Sequence, residues 1–237
     1  MSDVTVFVQT CPERDAHIAP TLESLRQSDA EFKVLRQPED QRHCRFFLDV
    51  LREMASVNTR WVIRLEDDVL VSKHLVHNFL SWPALREPDF GVGWLFTSEM
   101  VKLCTPADPR GFRLRGDPVM PNAFGVGLHY ETARACVAEY ERWIDEYGCG
   151  LHHCTRRGCE HHNSKPHPVC QFGQDALFSR TAWGLGARVF LSVPSLVEAR
   201  IVPTVVGTVY PPDTDSRQFF AGPDFNGDWR RDSSRSR

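Results

Sequence analysis

The sequence predicts a single domain of the α/β class, with a mainly parallel sheet flanked by helices. Up to Val69, apolar β-branched runs alternate with helical patterns in the order strand–helix–strand–helix–strand, which favours a parallel, doubly wound sheet. The 237 residues are 41% hydrophobic and 25% charged, which is ordinary for a globular protein with one sizeable core. The domain is expected to span residues 1–228.

Five elements are predicted in the first third of the chain. Ile18, Leu22 and Leu25 share one face of a first helix, and an apolar stripe marks a second helix over residues 42–57. The strands are short apolar runs at residues 4–8, 32–35 and 60–65. The last of these is typical of a buried central strand.

The later elements follow a more irregular pattern. Residues 103–123 hold four prolines and two glycines, which predicts a long loop. Strands are expected at residues 90–96, 124–129 and 189–193, and helices at residues 75–79, 132–147 and 175–183. The glycines of the strand at 90–96 indicate close backbone approach. The basic segment 229–237 is predicted to be a disordered tail.

Charge and hydropathy indicate which partners and which cellular location to expect. A net charge of −3 gives no general case for binding nucleic acid or a membrane surface. No apolar stretch is long enough to span a bilayer, and the start Met1-Ser2-Asp3 lacks the basic and apolar regions of a secretory signal. The protein is therefore expected to be cytoplasmic.

Three acidic residues, Glu66, Asp67 and Asp68, directly follow the predicted central strand. Burial of three like charges in a core is very unfavourable, so the triplet is expected at the sheet edge, facing water or a cation. Ligands of open α/β sheets bind beyond the carboxyl ends of the strands, and carboxylates suit a hard divalent cation. A solvated turn, or a helix start favoured by the dipole, is the alternative.

The chain resembles the nucleotide-sugar-binding core of glycosyltransferases with the GT-A fold. The acidic triplet stands where that family carries its DxD motif, often written Glu-Asp-Asp. Further matching stretches are residues 6–14, the helix from Arg42, and residues 173–177, 186–189 and 194–198. The resemblance implies a GT-A-like, Rossmann-related mixed sheet and transfer of a sugar from a UDP- or GDP-linked donor.

The same resemblance implies roles for the acidic residues and for the loop after the first strand. Asp68 would ligate Mn²⁺ or Mg²⁺, and Glu66 would be a second ligand or lie, like Asp67, near the ribose or a metal-bound water. Alternate residues of an extended segment share a face, so Glu66 and Asp68 are expected to point together. Thr10 and Arg14 would contact the nucleotide, Arg14 through diphosphate oxygens; the alternative for Arg14 is a surface salt bridge.

Alternatives stay open at two positions in the later matching stretches, residue 175 and the residue after Val197. Asp175 stands where related inverting enzymes carry the base that deprotonates the acceptor hydroxyl; its alternative role is a helix N-cap. Relatives often have a histidine after Pro-Ser-Leu-Val that completes the metal site, and this chain has none after Val197. Glu198, water or the charge of Arg200 would then replace it.

Residues 149–170 contain four cysteines and five histidines. Thiolate and imidazole ligands favour zinc, so a structural zinc insertion is predicted, with reduced thiols or a disulfide as alternatives. The simplest ligand set is Cys149, Cys154, Cys159 and Cys170, although any of the histidines could substitute. The segment is also locally basic, which suits an anionic acceptor such as nucleic acid or a phosphorylated glycan. Alternatively, it only supports the domain.

Two other functions compete with glycosyl transfer. A nucleotidyltransferase can share such a sheet and acidic site, but it usually has a glycine-rich basic loop after the first strand, and residues 9–17 contain no glycine. A zinc-organised nucleic-acid-binding or nuclease module would place His161, His162 and His167 at the chemistry. That alternative leaves the acidic strand unexplained.

Overall fold

The computed structural model describes residues 3–96, 112–114, 124–147, 175–200, 202, 220–227 and 229. Within this part, seven strands form one sheet in the order β2-β1-β3-β7-β5-β8-β6. The strands are β1 (Val4–Thr10), β2 (Phe32–Arg36), β3 (Trp61–Glu66), β5 (Phe90–Trp94), β6 (Phe112–Leu114), β7 (Gly125–His129) and β8 (Arg188–Ser192). Five strands share one direction, and β6 and β7 run against it. The predicted mixed, mainly parallel sheet is confirmed.

Helices cover both faces of the sheet because its strands alternate their side chains between two cores. Phe7 and Val62 belong to a core formed with the helices α2 (His43–Ser56), α4 (Tyr130–Tyr147) and α5 (Asp175–Gly184). Val6, Val8 and Ile63 point to the opposite core, which also contains residues of α1 (Ala19–Arg26) and α3 (Leu75–Ser81). All five helices lie where the apolar periodicity predicts them.

The glycines of the central strands allow aromatic rings to lie directly on the backbone. A Cβ added at Gly127 would lie 2.8 Å from Cζ of Phe79, and one at Gly93 would lie 3.0 Å from Cη2 of Trp82. The expected close approach at the strand 90–96 is therefore confirmed, and β7 shows it as well.

Short strands that the sequence did not predict surround the acidic triplet. After β3 the chain turns at Asp67 and Asp68 and enters β4 (Val69–Val71), which pairs antiparallel with β9 (Val197–Ala199). This two-stranded ribbon joins the segment after the triplet to the Val197 region.

The strand β6 lies inside the predicted loop at 103–123, where Phe112 packs against Phe190. The loop prediction is wrong for the three residues of β6.

Trp229, the first residue of the predicted tail, packs into the core. Trp229 is only 5% exposed, stacks on Trp82 at 5.9 Å between ring centroids, and meets Phe225 edge to face. A large aromatic side chain with this much buried surface contributes to the core rather than to a solvated tail. Residues 230–237 lie outside the described part of the chain.

Two further predictions stay open. The cysteine- and histidine-rich segment 149–170 lies outside the described residues, as do most residues of 97–123. None of the described helices is both long and apolar enough to cross a membrane. The cytoplasmic location stays a prediction.

Candidate functional site

The acidic triplet lies at the carboxyl end of the sheet, where β1 and β3 finish side by side. β1 pairs in parallel with β3, and the last partners in register are Gln9 and Glu66. Thr10 therefore ends its strand beside the start of the acidic turn. This is the edge of the sheet that the sequence predicted for a ligand.

Arg14 binds both aspartates of the turn. Its Nη2 donates a hydrogen bond of 2.8 Å to Oδ2 of Asp68, and its Nε lies 3.5 Å from Oδ1 of Asp67. Arg14 reaches them from a short 3₁₀ helix, Pro12–Arg14, that follows β1. All three residues are more than nine-tenths buried. Arg14 thus forms a salt bridge, as the alternative for this residue proposed, but the bridge is buried and shared between two carboxylates.

Contacts from three other segments hold the turn in place. The hydroxyl of Thr10 donates to Oδ2 of Asp67 at 2.6 Å, and the hydroxyl of Thr21 in α1 donates to the carbonyl of Asp67 at 2.7 Å. The backbone N–H of Arg200 donates to the carbonyl of Asp68 at 2.7 Å. Both the side chains and the backbone of the turn therefore have partners from other segments of the fold.

Glu66 has different partners from those of the two aspartates. Nη2 of Arg64 lies 3.2 Å from Oε1 of Glu66, and the same guanidinium donates twice to Oε1 of Gln9. Glu66 was expected to share a face with Asp68, but β3 ends at Glu66, and the extended geometry behind that expectation ends with it. In the structure Asp67 and Asp68 share Arg14, whereas Glu66 contacts Arg64.

Arg64 is the site residue that sequence reasoning missed. It lies within a strand of buried residues, and its guanidinium stacks over the rings of Phe47 in α2 and Phe178 in α5. A buried arginine needs polar partners, and Gln9 and Glu66 provide them. The available signal was a charge inside an apolar run, two residues before an acid.

Burial makes ionisation of the two aspartates unfavourable. Desolvation raises the pKa of Asp67 above its usual value, although Thr10 and Arg14 act in the opposite direction. For Asp68, desolvation raises the pKa from 3.8 to about 6; Arg14 lowers it, and the neighbouring Asp67 charge raises it. Desolvation therefore outweighs the ion pair with Arg14 at both positions.

Asp68 fits the role of a cation ligand better than its neighbours do. Its Oδ1 is buried and has no hydrogen-bond partner, whereas Oδ2 is bound to Arg14. Mg²⁺ and Mn²⁺ need only one or two carboxylates when phosphates and waters supply the other oxygens. Within the described ranges, no group of three His, Cys, Asp or Glu side chains is arranged to hold a metal. Asp68 is therefore suited to be a single protein ligand of the cation, with the phosphate oxygens of a substrate and waters as the other ligands.

The two residues considered as substitutes for the missing histidine lie on the β4–β9 ribbon or just beyond it. Glu198 pairs with Leu70 in that ribbon, and both line a cavity of about 360 Å³ against α1. Nη1 of Arg200 donates at 2.6 Å to the carbonyl of His17, in the loop that follows Arg14. Arg200 therefore braces the loop as well as the acidic turn.

The remaining predicted site residues can be placed only by the backbone or not at all. Asp175 is the first residue of α5, and both of its predicted roles, catalytic base and helix cap, stay predictions. The cysteines 149, 154, 159 and 170 lie outside the described residues.

Comparisons with known proteins give weak likenesses. No protein-family model matches the chain, and no curated protein matches it either. Among solved structures, TarS residues 1–349 of S. aureus aligns with 92% of this chain and 69% of its own, at 12% identity and a TM-score of 0.45. A glycosyltransferase involved in glycosylation of the major capsid of PBCV-1 aligns with 61% of this chain and 74% of its own, at 15% identity and a TM-score of 0.37. The glycosyltransferase GlyE of Streptococcus pneumoniae covers 73% and 41%, at 12% identity and 0.40. Likenesses this weak assign no activity to the chain.

Proposed function

We propose that the protein is a glycosyltransferase that moves a sugar from a nucleotide-diphosphate sugar to an acceptor hydroxyl with the help of a divalent cation. The observation that carries the proposal is the buried Asp67–Asp68 pair at the carboxyl end of the sheet, with one unsatisfied oxygen on Asp68. An unsatisfied buried carboxylate oxygen is unfavourable for folding, and such groups are retained where function uses them.

Asp68 would hold the cation through Oδ1, and Glu66 or Asp67 would contact the ribose or a metal-bound water. When bound, Mn²⁺ or Mg²⁺ neutralises the negative charge that grows on the diphosphate as the sugar leaves. Thr10 and the backbone contacts of the turn would keep Asp67 and Asp68 in position, so that little reorganisation is needed during transfer.

Arg14 would bind the donor diphosphate. Its guanidinium already lies at the carboxyl end of β1, next to the proposed cation ligand. Guanidinium groups bind phosphate oxygens through two parallel hydrogen bonds, so Arg14 can exchange a carboxylate for a phosphate without loss of bonding.

Asp175 would accept the proton of the acceptor hydroxyl in an inverting reaction. Such a base must reach the acceptor hydroxyl and be unprotonated at neutral pH, as carboxylates ordinarily are. The segment 149–170 precedes α5 in the chain, and we assign it a zinc-stabilised role beside the acceptor, for which its local positive charge would suit an anionic glycan or nucleic acid.

The test is release of UDP or GDP from a panel of nucleotide sugars in the presence of Mn²⁺. The wild-type protein is expected to release nucleoside diphosphate slowly by hydrolysis even without the acceptor, and Asp68→Ala should release none. Asp224→Asn is the matched control, because Asp224 is an exposed acid paired with Lys73 and should leave the rate unchanged.

Two results would overturn the proposal. A folded protein that neither hydrolyses nor binds any sugar nucleotide is no glycosyltransferase of this kind. Release of pyrophosphate from a nucleoside triphosphate would identify a nucleotidyltransferase instead.

Asp175→Asn separates the base from the donor site. The variant should lose transfer to an acceptor while its affinity for UDP or GDP stays near that of the wild type. Retained transfer would exclude Asp175 as the base.

A further inference from the structure

The buried guanidinium of Arg14 already pairs with the carboxylates that a cation would bind. It contacts one oxygen of Asp68 at 2.8 Å and one of Asp67 at 3.5 Å. The second oxygen of Asp67 accepts the hydroxyl of Thr10 at 2.6 Å. Three of the four carboxylate oxygens of the pair are therefore engaged, and Oδ1 of Asp68 is left without a partner.

We infer that Arg14 and the divalent cation compete for the Asp67–Asp68 pair, and that the donor diphosphate decides this competition by binding Arg14. This inference rests on the proposed function. It predicts that cation and nucleoside diphosphate each bind weakly alone and tightly together.

The unpartnered oxygen of Asp68 is buried in this structure. A cation can therefore contact Oδ1 only if the side chain of Asp68 turns or the segments around it move. Either movement alters the bond between Arg14 and Oδ2 of the same carboxylate. A guanidinium and a divalent cation would also repel each other across one carboxylate in a site with little water.

A diphosphate removes this conflict because it provides Arg14 with another anionic partner. Arg14 lies on a one-turn helix whose backbone bonds include those from the N–H of Arg14 to the carbonyl of Cys11 and from the N–H of Asp15 to that of Pro12. Residues 17 and 18 donate to the carbonyl of Arg14. The bond from Arg200 to His17 fixes the end of this loop, so the guanidinium can turn while the loop backbone stays bound. If Arg14 and the cation compete, a diphosphate that weakens the ion pairs of Arg14 with the aspartates strengthens cation binding, and by linkage the cation strengthens diphosphate binding by the same factor.

The test measures the affinity for Mn²⁺ alone by electron paramagnetic resonance, without nucleotide. Arg14→Gln should bind Mn²⁺ about tenfold or more tightly than the wild type, within the usual range of coupling between sites. Arg36→Gln is the matched control: it removes an equal charge from the same end of the sheet, where Arg36 pairs with Asp15 and stands beside Thr10 in register. The control should bind Mn²⁺ as the wild type does.

Two further measurements test whether the gain in Mn²⁺ affinity comes from release of Asp68 by Arg14. Addition of UDP or GDP should tighten Mn²⁺ binding to the wild type at least tenfold and have a much smaller effect on Arg14→Gln. Asp68→Asn introduced into Arg14→Gln should abolish the gain, since the freed carboxylate is then absent.

The outcomes distinguish this inference from the proposed function. If Arg14→Gln binds Mn²⁺ no more tightly than the wild type while UDP or GDP still binds, the competition is wrong and the proposed function stands. If the gain appears but neither UDP nor GDP binds any variant, the competition holds and the donor assignment fails. Should Arg14→Gln not fold, Arg14→Lys replaces it, because lysine keeps the charge but lacks the planar fork of the guanidinium and holds the two carboxylates less firmly. This variant must still bind Mn²⁺ more tightly than the wild type; unchanged affinity overturns the inference.

Discussion

Asp68→Asn should stabilise the protein at neutral and alkaline pH, although it removes a carboxylate from the candidate site. Burial raises the pKa of Asp68 from 3.8 to about 6, so the charged form is less favourable in the folded chain than in the unfolded one. Asparagine resembles the protonated carboxyl group: its oxygen can accept from Arg14, and its amide leaves one buried atom unpaired, as Oδ1 is now.

The size of the effect follows from the shift. A carboxyl group with a raised folded pKa contributes stability that is complete below about 3.8 and is lost as the pH rises through about 6. Two pKa units correspond to about 3 kcal/mol, which is the upper limit of the gain for the variant at pH 8. A domain of this size gains about 2–4 °C in Tm per kcal/mol, so the increase should be up to about 10 °C.

The assay is thermal unfolding in EDTA between pH 4 and pH 8, with wild type and variant compared at each pH. The difference in Tm should be near zero at pH 4 and grow up to pH 8. Asp15→Asn is the control, because its exposed pair with Arg36 lowers the pKa of Asp15 and no gain at pH 8 is expected. A variant less stable than the wild type at pH 8 would refute the reasoning, since the Arg14 ion pair would then outweigh desolvation.

Three further outcomes are expected. Gly127→Ala should lower the free energy of unfolding, measured by urea titration, by about 1–3 kcal/mol because the new methyl group meets the ring of Phe79. Gly184→Ala is the control and should be neutral, because a Cβ added there has no atom within 4 Å. Trp229→Ala should lower it by about 3–5 kcal/mol through loss of the stack on Trp82, and Trp183→Ala, 43% exposed, should change it little; equal effects would contradict the core role of Trp229. Purified protein should contain about one equivalent of zinc bound to residues 149–170, measured by mass spectrometry, and a chain without metal would exclude the zinc insertion.

The sheet could be predicted from sequence because its local signals agree with the tertiary structure. Residues 61–65 form one apolar run with a charge inside it, and the hydrophobic stripe of α2 faces the core that this strand also enters. The end of β3 was also predictable, because three successive carboxylates are unfavourable in an apolar core. The burial of Asp67 and Asp68 was not predicted, and Thr10 and Arg14 supply the polar partners that accompany it.

The contacts of the site were less predictable because they join distant parts of the chain. The expectation that Glu66 and Asp68 share a face assumed an extended backbone, whereas the chain turns at Asp67 and Asp68. A turn was only the alternative interpretation of the triplet, and it was expected to be solvated rather than buried. The burial of Arg14 depends on a turn 53 residues further on in the chain, at Asp67 and Asp68. Only packing decides whether such an arginine contacts solvent or two carboxylates.

The ribbon of β4 and β9 has a consequence for how the protein folds. It joins residues 69–71 to residues 197–199, so more than half of the chain lies between the two strands that hold the acidic turn. Closing so long a loop is entropically unfavourable, and contacts of high contact order generally form slowly. The N–H of Arg200 that binds Asp68 arrives with the later strand. The half-site of β1, β3 and Arg14 can therefore form on a nascent chain, but the complete turn must wait until residue 200 has been synthesised.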